Sequence, residues 1–535
     1  MNILLRFFLF LSFGALLTGA VRLSIIRGGY YKTMARDNKV YEMVIPAARG
    51  EIVDRKGRVV AKSVYQYFKK INETKVYEGS GDFEGIKFEG KDLAYDLKRK
   101  YMYGQSMGLV TGYVGKPNET EIDSAGVCGQ KIDKNDLLGR GGVEEYFNCL
   151  LGGVDGQRLV EVDARGNYVR ELGRKEPVAG KKLELSIDAY WQEKAYELMK
   201  DKKGVVIVSE PKTGKILVLV SSPSIDANVF SFSQDNRMIE SYLNDNEGLP
   251  MLNRTIGAKY HSGSVFKPVM TTAGLEEGVI DRNTLIEDTG VIKIGEYSFN
   301  NWLWTKRGGT DGMVDAVKAL QRSNDIYFYR LGERLGVDRI KTWAINYGYG
   351  NKTGVELPGE IAGLVPDDKW KQETKGERWF LGNTYHLSIG QGDLAVTPIQ
   401  VNQMTNVVAN KGVKCKMSVD KNGKVECSKI GASLGSLNTV VEGMKSACQP
   451  GGTAYPLFNF KTSIACKTGT AEVGDGSKDT HAWLTAFAPA ENPEISITVM
   501  VERGGEGSDM AAPIVGDFLK EYFNESETVV VKPQL

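Results

Sequence analysis

The chain has 535 residues, with 68 lysines and arginines against 67 aspartates and glutamates and a net charge of +1. That balance, without a long run of one sign, excludes the electrostatic footprint of a nucleic-acid-binding protein, so no nucleic-acid partner is expected. The length exceeds what one hydrophobic core usually organises, so two or three globular units are expected behind any terminal segment.

Phe7 to Val21 is an uninterrupted apolar or small run between Arg6 and Arg22, followed by Leu23 to Ile26. Counting either flank brings it to the roughly 20 residues a spanning helix needs, with an arginine snorkelling to the headgroups. Residues 1–27 are therefore expected to be an uncleaved membrane anchor. The rival is a cleaved signal peptide, because Thr18-Gly19-Ala20 resembles a processing site. Either reading exports the body, although Arg22, Arg27 and Lys32 outnumber Arg6 and oppose the positive-inside pattern.

Residues 28–182 read as an elongated β-rich region. Asp54 to Gly57 is a turn between strands Glu51 to Val53 and Val59 to Ala61. Ser63 to Asn135 is charged and poorly periodic, with Tyr103 to Gly108 expected as a loop, and short strands recur from Leu159 to Leu185. Residues 183–535 begin with an amphipathic helix capped by Asp188, carrying Trp191, Ala195 and Leu198 on one face. A hairpin follows, Val205 to Val208 and Ile216 to Val220, then a mainly helical stretch over 255–450. Strands Thr462 to Thr470, Ala482 to Ala488 and Ile495 to Val501 precede a last helix with Ile514, Phe518 and Tyr522 on one side. A sheet with helices packed against it is an α+β fold.

Six cysteines form no Cys-x-x-Cys pair and there are only three histidines, so no zinc or redox centre and no metal or organic cofactor is expected. Cys415 and Cys427 flank the turn sequence Asp420-Lys421-Asn422-Gly423. They face each other across two strands as a disulfide, or remain free thiols. Cys466 alternates away from Lys467 along its strand and reads as core.

Three short motifs carry the chemistry. In Gly263-Ser264-Val265-Phe266-Lys267 the serine and lysine sit one turn apart on one helical face, close enough for proton transfer. An ordinary lysine is almost wholly protonated at neutral pH, so a basic Lys267 requires burial or a second cation, which Lys467 can supply. Ser323-Asn324-Asp325 follows an expected helix, Met313 to Leu320. Its hydroxyl can relay a proton to a leaving group, while Asp325 orients Lys267; the bland alternative is a helix cap. In Lys467-Thr468-Gly469-Thr470 the glycine admits a substrate backbone and Thr470 holds a carboxylate. Singly these are weak; in this order and spacing they match the set used by penicillin-binding proteins and serine β-lactamases.

With these motifs the chain resembles a class B penicillin-binding protein, closest to the elongation-type penicillin-binding protein 2 subgroup. Arg49-Gly50 with Asp54-Arg55-Lys56-Gly57, and Gly139-Arg140-Gly141-Gly142-Val143-Glu144, resemble its pedestal motifs. Arg22-Leu23, Gly29-Tyr30, Ala35 and Asn38 resemble its membrane-proximal pattern. Leu357-Pro358-Gly359-Glu360, Gly390-Gln391-Gly392, Thr397-Pro398-Ile399-Gln400 and His481-Ala482-Trp483 resemble recurring segments of its transpeptidase part. The aromatic run Tyr327 to Tyr329, with Trp379 and Asn383-Thr384, matches the elongation type.

The resemblance implies an anchor (1–27), a pedestal (28–182) and a transpeptidase domain (183–535) lying outside the bacterial cytoplasmic membrane on a single pass. It implies Ser264 acylated by the penultimate D-Ala of a peptidoglycan stem, Lys267 as base, Ser323 and Lys467 completing the proton network, and Thr470 binding the terminal carboxylate. The oxyanion hole would be the backbone N–H groups of Ser264 and Thr470. β-Lactams would acylate the same serine. No segment of glycosyltransferase length precedes the pedestal, so glycan polymerisation is assigned to a separate membrane glycosyltransferase. A D,D-carboxypeptidase or β-lactamase uses the same triad, and a non-enzymatic β-lactam sensor or scaffold is the remaining rival. Three departures stand out: His261-Ser262 where prolines are common, a Gly308 to Gly312 loop lacking a frequent histidine, and Asp325 in place of asparagine, whose carboxylate should raise the Lys267 pKa. His261 and His386 read as packing or loop residues and His481 as a neighbour of the site. Trp302 and Trp304 read as cleft or loop residues.

Overall fold

The structure, a computed structural model, describes residues 3–37, 40–71, 74–81, 94–122, 128, 132–134, 136–162, 168–232 and 236–525. Asn38 and parts of the irregular stretch expected over Ser63 to Asn135 lie outside these residues. The chain divides by packing into two units, 1–50 with 150–181, and 51–149 with 182–535. The segment expected as one pedestal, 28–182, thus contributes to both.

In the first unit a 24-residue apolar helix runs over Ile3–Ile26. At 1.5 Å per residue it is about 36 Å long, enough for a hydrocarbon core of about 30 Å. Among the described residues it is the one helix long and apolar enough to cross a membrane. The helix Gly28–Asp37 follows. Strand Gly156–Val162 lies between Val40–Ile45 and Tyr168–Lys175 in an antiparallel sheet.

In the second unit the Asp54 to Gly57 turn is tied to the following domain. Asp54 accepts the Arg58 guanidinium and, at 3.0 Å, the N–H of Ala189. Two expectations fail here. Tyr103 to Gly108 is not a loop: Gly104–Thr111 is a helix burying Met107 and Val110, with Gly108 pressed against the Ile225 carbonyl where a Cβ would sit 1.8 Å away. The described part of the charged stretch before it is largely strand, Val59–Ile71 pairing with Ala94–Tyr101. Its cross-strand partners, Lys62 with Lys100 and Ser63 with Arg99, obscure the alternation. Arg99 is 1% exposed and pairs with Glu144.

The larger domain is built on five antiparallel strands: β1 (Gly204–Ser209), β2 (Ile216–Ser222), β3 (Ala465–Glu472), β4 (Thr480–Ala488) and β5 (Ile495–Val501), in the order β2-β1-β5-β4-β3. β3 is terminal. Alternate residues of the strands feed two cores, so the apolar runs of β1 and β2 are continuous. Val205, Trp483, Phe487 and Met500 face one, where α2 (Lys267–Glu276), α4 (Asp325–Tyr347), α5 (Pro398–Ala409) and α6 (Leu434–Ala447) pack. Val206, Val208, Leu484 and Ile497 face the other, against α1 (Ala189–Leu198) and α7 (Ala512–Tyr522). Helix α3 (Ala316–Arg322) begins later than expected, because Gly312–Val314 is a strand and Asp315 is the cap.

All six cysteines are paired. Cys415 and Cys427 are bonded across a two-stranded hairpin in which they are direct partners. Cys128–Cys149 and Cys448–Cys466 are also bonded. Cys466 is buried, as expected of core, but its bond to Cys448 was not foreseen.

Candidate active site

Ser264 lies in a one-turn 3₁₀ helix, Gly263–Phe266, that runs into α2. The Lys267 N–H bonds the Ser264 carbonyl, and side chains three apart eclipse in 3₁₀ geometry, so hydroxyl and amine leave the same side. The turn is clamped from two directions. Gly263, at φ +56°, donates its N–H to the Gly390 carbonyl at 2.9 Å and faces Thr470, where a Cβ would lie 2.7 Å from the carbonyl oxygen. Gly469 presses on the turn from β3: a Cβ there would meet the Ser262 carbonyl at 3.0 Å and Val265 Cγ1 at 3.0 Å. The expectation that Gly469 serves substrate approach therefore has a second physical reason, close packing against the serine turn.

The two lysines are fully buried. Lys267 Nζ donates to Asp325 Oδ1 at 2.7 Å, to the Ser323 carbonyl at 2.8 Å and to Ser323 Oγ at 3.3 Å, and lies 5.2 Å from the Phe328 ring centroid. Lys467 Nζ donates to Ser323 Oγ and to the Thr468 carbonyl, each at 2.9 Å. Burial holds Lys267 below the usual lysine range, against the opposing attraction of Asp325. Lys467 is held well below it, by burial first and then by the charge of Lys267. The doubt raised by a carboxylate at 325 is answered in direction: desolvation wins. Ser323, at φ +54° where α3 ends, accepts from both lysines through its two lone pairs, which leaves its own proton free to donate.

Lys267, Ser323, Asp325 and Lys467 thus form one hydrogen-bonded chain, Asp325 to Lys267 to Ser323 to Lys467. Thr468 joins through its carbonyl, its hydroxyl paired with Thr453 at 2.7 Å. Thr470 is exposed on the terminal strand and Ser264 is partly exposed, so both are open to a ligand.

Asp325 is itself held. Its Oδ2 accepts the Trp302 N–H at 3.0 Å and its N–H donates to Asn301 Oδ1 at 3.2 Å. Trp302 also donates Nε1–H to the Arg322 carbonyl at 2.9 Å, so it belongs to the site, whereas Trp304 is 40% exposed and packs over Gly290. His481 sits opposite Ala471 on β4, its Nδ1 accepting the Arg503 N–H at 3.3 Å and its ring edge-on to Tyr260. Burial lowers its pKa, and it contacts none of the four central residues. His261 bonds the Glu472 carbonyl at 2.9 Å and His386 packs against Phe299.

A family profile for the penicillin binding protein transpeptidase domain matches residues 204–520, and one for the penicillin-binding protein dimerisation domain matches residues 68–185. The chain belongs to the penicillin-binding protein transpeptidase family. The peptidoglycan D,D-transpeptidase MrdA of Acinetobacter baumannii is 34% identical over 501 residues, covering 87% of this chain and 72% of that one. The enzyme of the same name from Escherichia coli is 29% identical, covering 95% and 91%. Among solved structures, penicillin-binding protein PBP2 of Helicobacter pylori in complex with MreC superimposes with a TM-score of 0.79 at 27% identity, over 91% of this chain and 99% of that one. Pseudomonas aeruginosa PBP2 in complex with WCK 5153 gives 0.74 at 30% identity, over 90% and 96%. A chain from a peptidoglycan synthase complex gives 0.81 at 27%, over 98% and 99%.

This penicillin-binding protein is a class B, elongation-type member and a serine-type D,D-transpeptidase. Sequence reasoning missed four polar residues behind its site, Asp288, Asn301, Asp311 and Asn324. Asn324 lay inside a recognised motif, and its cap role was open to view: its side chain accepts the Tyr327 N–H at 2.9 Å. The other three come from separate segments, a strand end, a helix cap and a loop, and only folding assembles them.

Proposed function

We propose that the protein cross-links peptidoglycan stem peptides through Ser264, in a body held outside the cytoplasmic membrane by residues 1–27. The observation that carries the site assignment is the Ser323 hydroxyl, shared by two buried lysines at 2.9 and 3.3 Å. A lysine depressed by burial is neutral more often and can act as a base.

In the reaction, neutral Lys267 takes the Ser264 proton as Oγ attacks the carbonyl carbon of the penultimate D-Ala. The C–N bond then breaks, and the departing D-Ala nitrogen takes the Ser323 proton, which the lysine pair replaces. An amine from a second stem attacks the acyl-serine, forming the cross-link and returning the Ser264 oxygen to its hydroxyl. Asp325 orients Lys267. Thr468, Gly469 and Thr470 present the strand edge and hydroxyl that receive the D-Ala-D-Ala carboxylate end. A β-lactam enters the same path through its ring amide, and its adduct on Ser264 is expected to be long-lived, since a transpeptidase holds its acyl group for an amine and has no reason to position water.

The Ile3–Ile26 helix and the penicillin-binding relatives support a single-pass membrane anchor. The domain order of anchor (1–27), pedestal (28–182) and transpeptidase (183–535) rests on that helix and the two family matches. Likeness to a chain of a complex described as coordinating polymerisation and crosslinking supports a separate membrane glycosyltransferase as partner. N-terminal sequencing of membrane-extracted protein tests the anchor; a chain starting near Val21 counts against it. Reconstitution with lipid-linked precursor and a polymerase tests the rest. Cross-links lost in Ser264→Ala support the reading, release of free D-Ala without cross-links indicates a carboxypeptidase, and neither product indicates a scaffold.

A further inference from the structure

Asp288 ends a short strand, Ile286–Asp288, and is 3% exposed. Its carboxylate takes four N–H donors. Oδ1 accepts from Gly290 N at 2.8 Å; Oδ2 accepts from Asp311 N, Asn301 Nδ2 and Asn324 Nδ2, each at 2.8 Å. Both asparagines are fully buried. Their orientations are fixed from the far side: Asn301 Oδ1 accepts the Asp325 N–H and Asn324 Oδ1 accepts the Tyr327 N–H, so each amide nitrogen must point to Asp288. Asn324 is the middle residue of the Ser323 to Asp325 segment, and Asn301 holds the end of that segment through the Asp325 N–H. Trp302, which follows Asn301, contacts Asp325, and Ser323, which precedes Asn324, contacts the two lysines. Asp311 adds a second carboxylate behind Asn324 at 3.0 Å and is paired with Arg322.

We propose that Asp288 is a positioning residue of the transpeptidase: by locking Asn301 and Asn324 it sets the angle at which Asp325 and Ser323 meet Lys267. It touches no reacting group. Losing it frees two buried amides, lets Trp302 and the start of α4 shift, and loosens the 2.7 Å contact between Asp325 and Lys267. The groups facing Lys267 are then still Asp325, Lys467 and Ser323, but with a weaker carboxylate contact.

The proposal rests on Lys267 being the base that activates Ser264. The test is stopped-flow acylation of the intact protein by a fluorescent penicillin between pH 5 and 10, separating the dissociation constant of the first complex from the acylation rate constant. Asp288→Asn should lower the acylation rate constant by about tenfold to a hundredfold, the cost of a small misplacement at a reacting centre. The dissociation constant should stay within about threefold, and the rising limb of the pH profile should move to lower pH because Lys267 has lost part of its counter-charge. A merely structural role would lower the melting temperature and the active fraction while leaving the rate constant and limb of the folded fraction in place. Should Asp288→Asn not fold, Asn301→Ser, which cuts one spoke, should show the same split. A wild-type protein that is not acylated overturns the role of Lys267. Wild-type acylation with unchanged rate and limb in the variant overturns only the role of Asp288.

Discussion

Replacing Asp325 by asparagine keeps the size and one acceptor of the side chain and removes only its charge. At 2.7 Å and an effective dielectric constant of about 20, the attraction of that carboxylate for a protonated Lys267 is roughly 6 kcal/mol. Desolvating a buried ion costs several kcal/mol, so the two effects are of similar size and Asp325 decides how far Lys267 falls. In Asp325→Asn only desolvation remains, joined by the charge of Lys467 when that residue is protonated. The rising limb of acylation against pH should therefore move down by about 1 to 3 units, the usual effect of a close counter-charge. The plateau should drop by about tenfold or more, because a less basic amine takes the serine proton less readily. Stability gives an independent reading with a definite sign. Lys267 is depressed in the folded protein, so above its folded titration the unfolded chain binds more protons and stability rises with pH. Lowering the folded value further extends that window downward. The variant's deficit, roughly 3 to 5 kcal/mol where Lys267 would be charged, should shrink as pH rises toward the ordinary lysine range. Acylation profiles of both proteins with one penicillin, and thermal unfolding across the same pH range, supply the measurement. A limb that stays in place would show that Asp325 does not set the proton affinity of Lys267, and the assignment of the base would fail with it.

Gly469→Ala should cut acylation by about a hundredfold, because the new methyl must displace the Ser262 carbonyl and the Trp483 Cβ, 3.0 and 3.1 Å away; unchanged kinetics would mean that β3 and the serine turn are not tightly packed. Thr470→Val should weaken the non-covalent complex with penicillin by about tenfold, the worth of one hydrogen bond to a charged group, with the acylation rate constant little changed. Equal binding would place the carboxylate elsewhere. Non-reducing peptide mapping of exported protein should recover Cys415 joined to Cys427, and Cys415→Ser should cost about 2 to 4 kcal/mol in unfolding titrations. Free thiols at both positions would contradict the hairpin pairing.

What the sequence made legible follows from how locally each feature is determined. The strands β1 and β2 were readable because burial on both faces selects unbroken runs such as Val205 to Val208 and Ile216 to Val220, and β5 because β-branched residues dominate Ile495 to Val501. The Cys415 to Cys427 hairpin was readable because its turn lies between the two cysteines. Strand Val59–Ile71 was read only as far as Ala61, since Lys62, Ser63 and Gln66 interrupt its apolar positions beyond that and its partner strand carries Lys98, Arg99 and Lys100. Helix Gly104–Thr111 was not, because two glycines and a serine in eight residues argue for a loop, and what holds it is tertiary: Gly108 lies against the Ile225 carbonyl. The bonds Cys128–Cys149 and Cys448–Cys466 join residues 21 and 18 apart, and in neither does a short turn between two readable strands set the cysteines opposite each other.

At the site the same division separates residue identity from residue state. Ser264, Lys267, Ser323, Asp325 and Lys467 were visible as chemistry, but which effect sets the lysine proton affinities was not, because burial is a property of the assembled core. A carboxylate beside a lysine raises its pKa in any local reading; only with the lysine wholly enclosed by α2, α4 and β3 does desolvation win. The network around Asp288 extends that logic outward. Asn301, Asp311 and Asn324 lie 13, 23 and 36 residues beyond Asp288, each in a segment whose own composition suggests only a turn or a cap. Their function exists in the pairings, four donors on one carboxylate, and those pairings hold Asn324 beside Ser323 and, through Asn301, the N–H of Asp325. A serine held in a left-handed conformation between two buried lysines needs such a frame, since the 3₁₀ turn and β3 fix Lys267 and Lys467 but nothing in either element fixes Ser323.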